Sequence, residues 1–195
     1  DSLRFKNGFQ KLDSLTISTD GDSIRLGSSL SIYSKLSLES GILDVRSKTM
    51  KLISDTSKTA WFEKTSGSLV GDFTYSRLFS QESSGWRMIS SPVQSQLFST
   101  LSDSFHTQGG AWSDFSVSES ESSLWLYDGE TQNFSGYVGA DTSFTSGEGY
   151  LMYIFDDAPG GTKLPTYLNL NGSEPDSIIM NLVRGEDDAS SYNLA

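Results

Sequence analysis

The sequence predicts an all-β chain: an N-terminal ladder of short strands, β-solenoid-like or a meander, followed by an antiparallel β-sandwich with one short helix. Three observations predict it. Apolar residues recur two apart in brief runs, as one face of a strand requires. Turn formers are scattered between those runs, with 38 serines and 18 glycines in 195 residues, whereas a single long polar tract would signal disorder. A content of 35% hydrophobic and 12% aromatic residues is sufficient for a packed core.

The ladder runs from Leu15 to Leu52. Its pairs are Leu15/Ile17, Ile24/Leu26, Leu30/Ile32, Leu36/Leu38, Leu43/Val45 and Met50/Leu52, spaced by 9, 6, 6, 7 and 7 residues. Each pair reads as one short strand with both side chains on one face, and Ser, Gly and Asp between pairs supply the turns. Near-regular spacing of this kind suits successive rungs of a solenoid or a meander of very short strands. Residues 1–64 are therefore taken as one region and 65–195 as a second, acidic module, with a further module opening near 190.

In the second region Gly67–Tyr75 alternates like a strand. A turn at Ser83-Ser84-Gly85 leads into Trp86–Val93, which Pro92 ends. Val93, Leu97, Leu101 and Phe105 recur at intervals of four, a helical face over 94–105. Leu124–Tyr127, Asp128-Gly129 and Phe134–Val138 form a hairpin signal. Tyr150–Phe155 is the most apolar run and reads as a central strand, with either Tyr150, Met152 and Ile154 or the alternate set Leu151, Tyr153 and Phe155 facing the core. Tyr167–Gly172 and Ser177–Leu182 read as a closing pair, completing a sandwich.

Charge separates the two regions. Residues 1–64 carry ten Lys/Arg against eight Asp/Glu, and residues 65–195 carry four against seventeen. The acidic module repels phosphate backbones and anionic lipid, so nucleic acid is excluded as a partner. No apolar run approaches the ~18 residues of a membrane span, and membrane insertion is not expected. There is no cysteine, which excludes disulfides and thiolate metal sites. A start at Asp1 suits a processed protein or a fragment.

The runs Gly85-Trp86-Arg87-Met88-Ile89-Ser90-Ser91-Pro92-Val93, Leu124-Trp125-Leu126-Tyr127-Asp128 and Gly147-Glu148-Gly149-Tyr150-Leu151-Met152-Tyr153 resemble a recurring module. The module belongs to large cell-surface proteins that Bacteroidetes-type bacteria export by type IX secretion. There a ladder of short strands precedes segments of roughly this pattern. Ser191-Tyr192-Asn193-Leu194-Ala195 resembles the opening of the next module, so the chain is expected to continue beyond Ala195. The family's C-terminal sorting domain is not among these residues. The resemblance implies an extracellular, cell-surface location and a structural or adhesive role.

Candidate chemistry is sparse. His106 is the only histidine and hence the only base for a serine nucleophile; it follows Asp103-Ser104-Phe105, where it reads as a helix-end charge. Glu119/Glu121 and Asp128/Glu130 place carboxylates close together, and Trp112, Trp125 and Tyr127 suit sugar stacking, but the aromatics fall in core-like alternations and the acids in polar loops. No phosphate-binding loop is present, because Gly147-Glu148-Gly149 precedes a strand. Calcium is the cofactor the oxygen ligands allow, at Asp20/Asp22 and Asp156/Asp157, with Glu186/Asp187/Asp188 a further acidic cluster. None of these has a complete EF-hand signature.

The expected function is a non-enzymatic extracellular structural or adhesive segment, a filament or fibre subunit being one form of it. The alternative is a carbohydrate-binding module. Burial of Trp86, Trp112 and Trp125 favours the first, and a coplanar exposed pair favours the second. Expected partners are neighbouring copies or modules, joined head to tail through the N-terminal strands, and glycans.

Overall fold

The computed structural model describes residues 1–80, 84–129, 131–156 and 164–175, and the chain is all-β. It divides into two compact units, residues 1–80 with 167–174 and residues 81–166 with 175–195. The first unit contains β1 (Ser2–Leu3), β2 (Lys11–Ile17), β3 (Ser23–Leu26), β4 (Leu30–Leu38), β5 (Ile42–Asp44), β6 (Met50–Ser54), β7 (Trp61–Lys64), β8 (Ser68–Val70) and β9 (Phe73–Phe79). Successive strands do not pair with each other as in a meander. β1–β3–β5–β8 form one parallel sheet, and β2–β4–β6–β9 with β7 form another. This is a coiled β-solenoid.

Each apolar pair is one side of a rung, not a rung. Ser23 lies beside Ile42 and Leu30 beside Met50, so a turn of the coil takes about 20 residues. The nine-residue β4 contains two of the pairs and serves two sides, pairing with β6 through Leu30–Ile32 and with β7 through Lys35–Leu38. Across β4 the register offset grows from 20 (Leu30 to Met50) to 26 (Lys35 to Trp61). The extra residues are 55–60, a turn in which the Asp55 carboxylate accepts the Ser57 and Lys58 backbone N–H groups at 2.8 and 2.9 Å. That insertion is why the sequence spacing is irregular while the stack remains regular.

Register continues the apolar pattern from rung to rung. Leu12, Ile32, Leu52 and Tyr75 stack in one column, Leu15, Leu36 and Phe62 in a second, and Ile24, Leu43 and Leu69 in a third. Ile32, Leu36, Leu43 and Leu52 are completely buried. Burying such a side chain contributes roughly 1.5–3 kcal/mol each. The segment Gly67–Tyr75, which reads as the opening of the sandwich, instead forms the last turn of the coil through β8 and β9. Alternation alone does not distinguish a parallel neighbour from an antiparallel one.

The second unit is sandwich-like. It holds β10 (Gly85–Ser90), β11 (Gln108–Gly109), β12 (Phe115–Ser116), β13 (Leu124–Asp128), β14 (Asn133–Gly136) and β15 (Gly149–Ile154). The main sheet is antiparallel in the order β10–β15–β13–β14, with β15 central. Tyr150, Met152 and Ile154 face the core. A layer of turns and the short parallel β11–β12 pair covers that face, delivering Phe98, Leu101, Phe105, Trp112 and Phe144 to the core. Phe98 meets Phe144 edge-on at 4.6 Å and Tyr150 at 5.7 Å.

The expected helix over 94–105 is a 3₁₀ turn at Phe98–Asp103. Ser95 adopts φ 62°, which no helix accommodates, and Leu97 is exposed and bridged to Ser143 instead. The hairpin exists, but Asp128 pairs with Asn133 across a longer loop. There the Asp128 carboxylate accepts the Thr131 hydroxyl at 2.7 Å.

The last described strand, β16 (Thr166–Gly172), returns to the coil beside β9. The Thr74 hydroxyl meets the Asn171 side-chain oxygen at 3.0 Å and the Ser76 hydroxyl meets that of Asn169 at 2.6 Å, the inverse order of an antiparallel neighbour. The expected strand Ser177–Leu182 and the module opening at Ser191–Ala195 lie outside the described residues.

Gly41 marks the tightest corner, with φ +81° and a Cβ position 1.8 Å from the Thr19 hydroxyl oxygen of the preceding rung. Gly41→Ala is expected to lower stability by about 1–3 kcal/mol from backbone strain alone, plus the steric clash. Gly8→Ala has φ +88° but open space around the Cβ, so it should cost less in a denaturant titration. In the second unit Met152→Asp should cost about 3–5 kcal/mol as a buried charge, and Leu151→Asp on the opposite face much less, read by the same titration.

Candidate functional site

The acidic candidates serve turns. Asp20 takes φ 47° ahead of Gly21 at φ +96°, and the Asp22 N–H donates to the Thr19 carbonyl at 2.8 Å, closing the tight link from β2 to β3. Asp156 lies in the other unit, where its N–H donates to the Ser84 hydroxyl at 2.8 Å. Asp157, Glu130 and Glu186/Asp187/Asp188 lie outside the described residues. Among the described residues no three His, Asp or Glu side chains gather as a metal site. Glu119 and Glu121 sit on a 3₁₀ turn, and Glu121 closes a capping box by accepting the Ser118 backbone N–H at 3.4 Å, while also accepting the Ser118 hydroxyl at 2.8 Å. His106 is held between rings, with Phe115 at 5.0 Å and Phe155 at 5.2 Å.

The most perturbed carboxyl among the described residues was not legible in the sequence. Asp44 ends β5 and lies beside Arg25 of the neighbouring rung. Its oxygens accept Arg46 Nε at 3.0 Å, Arg46 Nη2 at 2.8 Å and the Arg46 backbone N–H at 3.1 Å, with Arg25 Nε 3.8 Å away. The hydrogen bond from the Arg46 side chain, then its backbone N–H and the two positive charges, lower this carboxyl from 3.8 to about 2. Perturbation here belongs to an ion-pair clasp between rungs, not to a cleft.

The surface with the strongest unmet chemistry is the outward face of the β10–β15–β13–β14 sheet. Strand register puts Trp86 beside Tyr153, Met88 beside Leu151, Leu151 beside Trp125, and Tyr127 beside Phe134. Trp86 is 44% exposed and Met88 57%, and Phe134 is exposed as well. Trp125 and Tyr127 are half-buried on this face, whereas Trp112 is 2% exposed in the core and donates its indole N–H to the Tyr137 carbonyl at 3.2 Å.

The rings of this face do not lie flat together. Trp86 stands at 89° to Trp125 with centroids 6.0 Å apart and at 75° to Tyr153 at 5.1 Å. Such edge-to-face packing makes a ridged apolar surface, not a coplanar stacking platform. One sequence signal does mark it. In Tyr150–Phe155 both alternating sets are apolar, and Trp86 and Met88 lie on the face opposite Ile89, which a sheet covered on only one face does not need.

No protein family, curated protein or solved structure matches this chain.

The Asp44 clasp fixes an acid response. Because its carboxyl titrates lower in the folded chain than when free, the stability it contributes is complete above about 3.8 and is lost as the pH falls toward about 2. The protection of the β3 and β5 amides against exchange, relative to the unfolded chain at the same pH, should therefore fall over that interval, and Asp44→Asn should flatten the response.

Proposed function

We propose that this chain is a non-enzymatic structural and adhesive segment of an extracellular bacterial surface protein, of the kind exported by type IX secretion. The observation that carries the proposal is the parallel coil. Each rung contacts only its neighbours, apolar columns stack from rung to rung in the interior, and such a stack makes a rigid spacer whose length scales with its turns. The resemblance of Trp86–Val93 and Gly147–Tyr153 to modules of exported surface proteins supports the setting. Of the three tryptophans whose burial favours a structural segment only Trp112 is buried; the exposed Trp86 and Met88 support the adhesive part instead, since apolar surface of this kind suits contact with another macromolecule.

A second reading, a carbohydrate-binding module, draws on Trp86 alone. An exposed indole stacks on sugar rings, but Trp125 and Tyr153 stand edge-on to it and offer no flat platform for a second sugar.

Beads coated with the chain test both readings against films of protein and of polysaccharide. Adhesion to protein that falls on Trp86→Ser with Met88→Ser is the expected result, and retention only on polysaccharide favours the second reading. Turnover of either film, abolished by replacing one carboxylate, overturns the structural reading.

A further inference from the structure

One column on the outer side of the coil gathers positive charge that the protein does not neutralise. Alternation in β4 buries Leu30 and Ile32 and turns Ser31 outward, and register sets Lys11 of β2 on one side of it and Lys51 of β6 on the other. Gln10, Ser29 and Thr49 join these three in lining a cavity of about 260 Å³, to which no Asp or Glu contributes. Lys35, Lys58 and Lys64 each pair with a carboxylate, whereas Lys11 and Lys51 meet none among the described residues. The hydroxyls of Ser29, Ser31 and Thr49 likewise make no side-chain hydrogen bond among the described residues.

The cavity does not depend on what adjoins the coil. Its middle rung, at Ser29–Ser31, has β2 on one side and β6 on the other. Outward side chains project across the stacking direction, so a further rung lengthens this face without roofing the cavity. Neighbouring strands lie roughly 4.8 Å apart, which sets the Lys11 and Lys51 backbones about 10 Å from each other with Ser31 between them. Their two charges repel, and an anion placed over Ser31 converts that repulsion into two attractions. Each lysine is a compact charge with three donors on a flexible stem, able to reach such a group from its own side. The neutral groups around it, three hydroxyls and the Gln10 amide, both donate and accept hydrogen bonds, which matches a ligand rich in hydroxyls.

We infer that this cavity binds an acidic polysaccharide, with a sulfate or carboxylate of one sugar seated between Lys11 and Lys51 and the hydroxyls of that sugar on Ser29, Ser31, Thr49 and Gln10. The volume is just below the roughly 300–1,000 Å³ of sites that enclose whole drug-sized ligands, as suits one unit of a polymer passing over the coil. A net charge of −11 on the chain repels a continuous polyanion, whereas anionic groups spaced by neutral sugar meet less repulsion. The inference goes beyond the adhesive reading and makes no use of the aromatic face of the second unit.

Calorimetric titration of the whole chain with three oligosaccharides of equal length, one sulfated, one built of uronates and one neutral, tests it. Binding of an acidic oligosaccharide and not of the neutral one is expected, and the two acidic arms identify which oxyanion the site takes. Lys11→Gln and Lys51→Gln should each weaken that binding roughly tenfold, as loss of a charged hydrogen bond does. Lys48→Gln, exposed and outside the cavity, should leave it unchanged, as should Trp86→Ser with Met88→Ser. Ser31→Tyr keeps both lysines but fills the space between them, and should abolish binding. Equal affinity for the neutral oligosaccharide, no binding of either acidic one, an equal loss on Lys48→Gln, or binding undiminished in the Lys11 and Lys51 variants overturns the inference. So does an oligoglutamate that binds as tightly as the acidic sugars and is lost with the same lysines, which reassigns the cavity to acidic peptide. Failure here with adhesion to protein retained leaves the adhesive reading standing.

Discussion

Rungs of a parallel coil must lie one strand spacing apart, about 4.8 Å, and at every corner the chain has to turn without pushing its neighbours away. That spacing governs the first unit. Where the corners come closest, Gly41 fills a position that any Cβ would contest with Thr19. Backbone N–H groups that leave the ladder at corners are taken by hydroxyls. Ser28 accepts Phe5 N–H at 2.9 Å, Ser40 accepts those of Thr19 and Asp20 at 3.0 and 3.2 Å, and Ser54 accepts that of Ala60 at 3.0 Å. The abundant serine is thus a corner chemistry, small enough for the spacing and polar enough to satisfy a donor.

The same spacing tolerates insertion only outward. Residues 55–60 leave the stack between β6 and β7, and the Asp55 hydrogen bonds hold them as a compact turn. The columns on either side resume in register, which keeps Leu36 over Phe62 and Leu43 over Leu69. Charge is admitted to the coil at Asp44 because two arginines and a backbone N–H reach it. A buried carboxylate without such partners would destabilise the rung.

The second unit follows a different rule. Its core is aromatic: Phe98, Trp112, Phe144 and Tyr150 interlock edge-to-face and let short irregular segments cover one face of a sheet. Those segments have few ladder hydrogen bonds, so side chains stand in. Ser122 accepts Leu124 N–H at 3.2 Å, and Asp114 accepts Thr107 N–H at 2.9 Å. The other face carries large apolar side chains that this unit does not bury, the physical basis of the proposal that it contacts another macromolecule.

The sequence by itself determined the all-β class, the ladder strands from Lys11–Ile17 to Met50–Ser54, the central place of Tyr150–Ile154 and the absence of thiol chemistry, because strand alternation and composition are local properties. It also showed apolar residues on both sides of Trp86–Ile89. Only the tertiary structure decided that the ladder is a coil of about 20 residues per turn and that Gly67–Tyr75 and Tyr167–Gly172 belong to it. It alone brought Asp44 to Arg25 and made Trp112 core and Trp86 surface. Each of these depends on which distant strand becomes the neighbour, and a period-two pattern reads the same beside any partner.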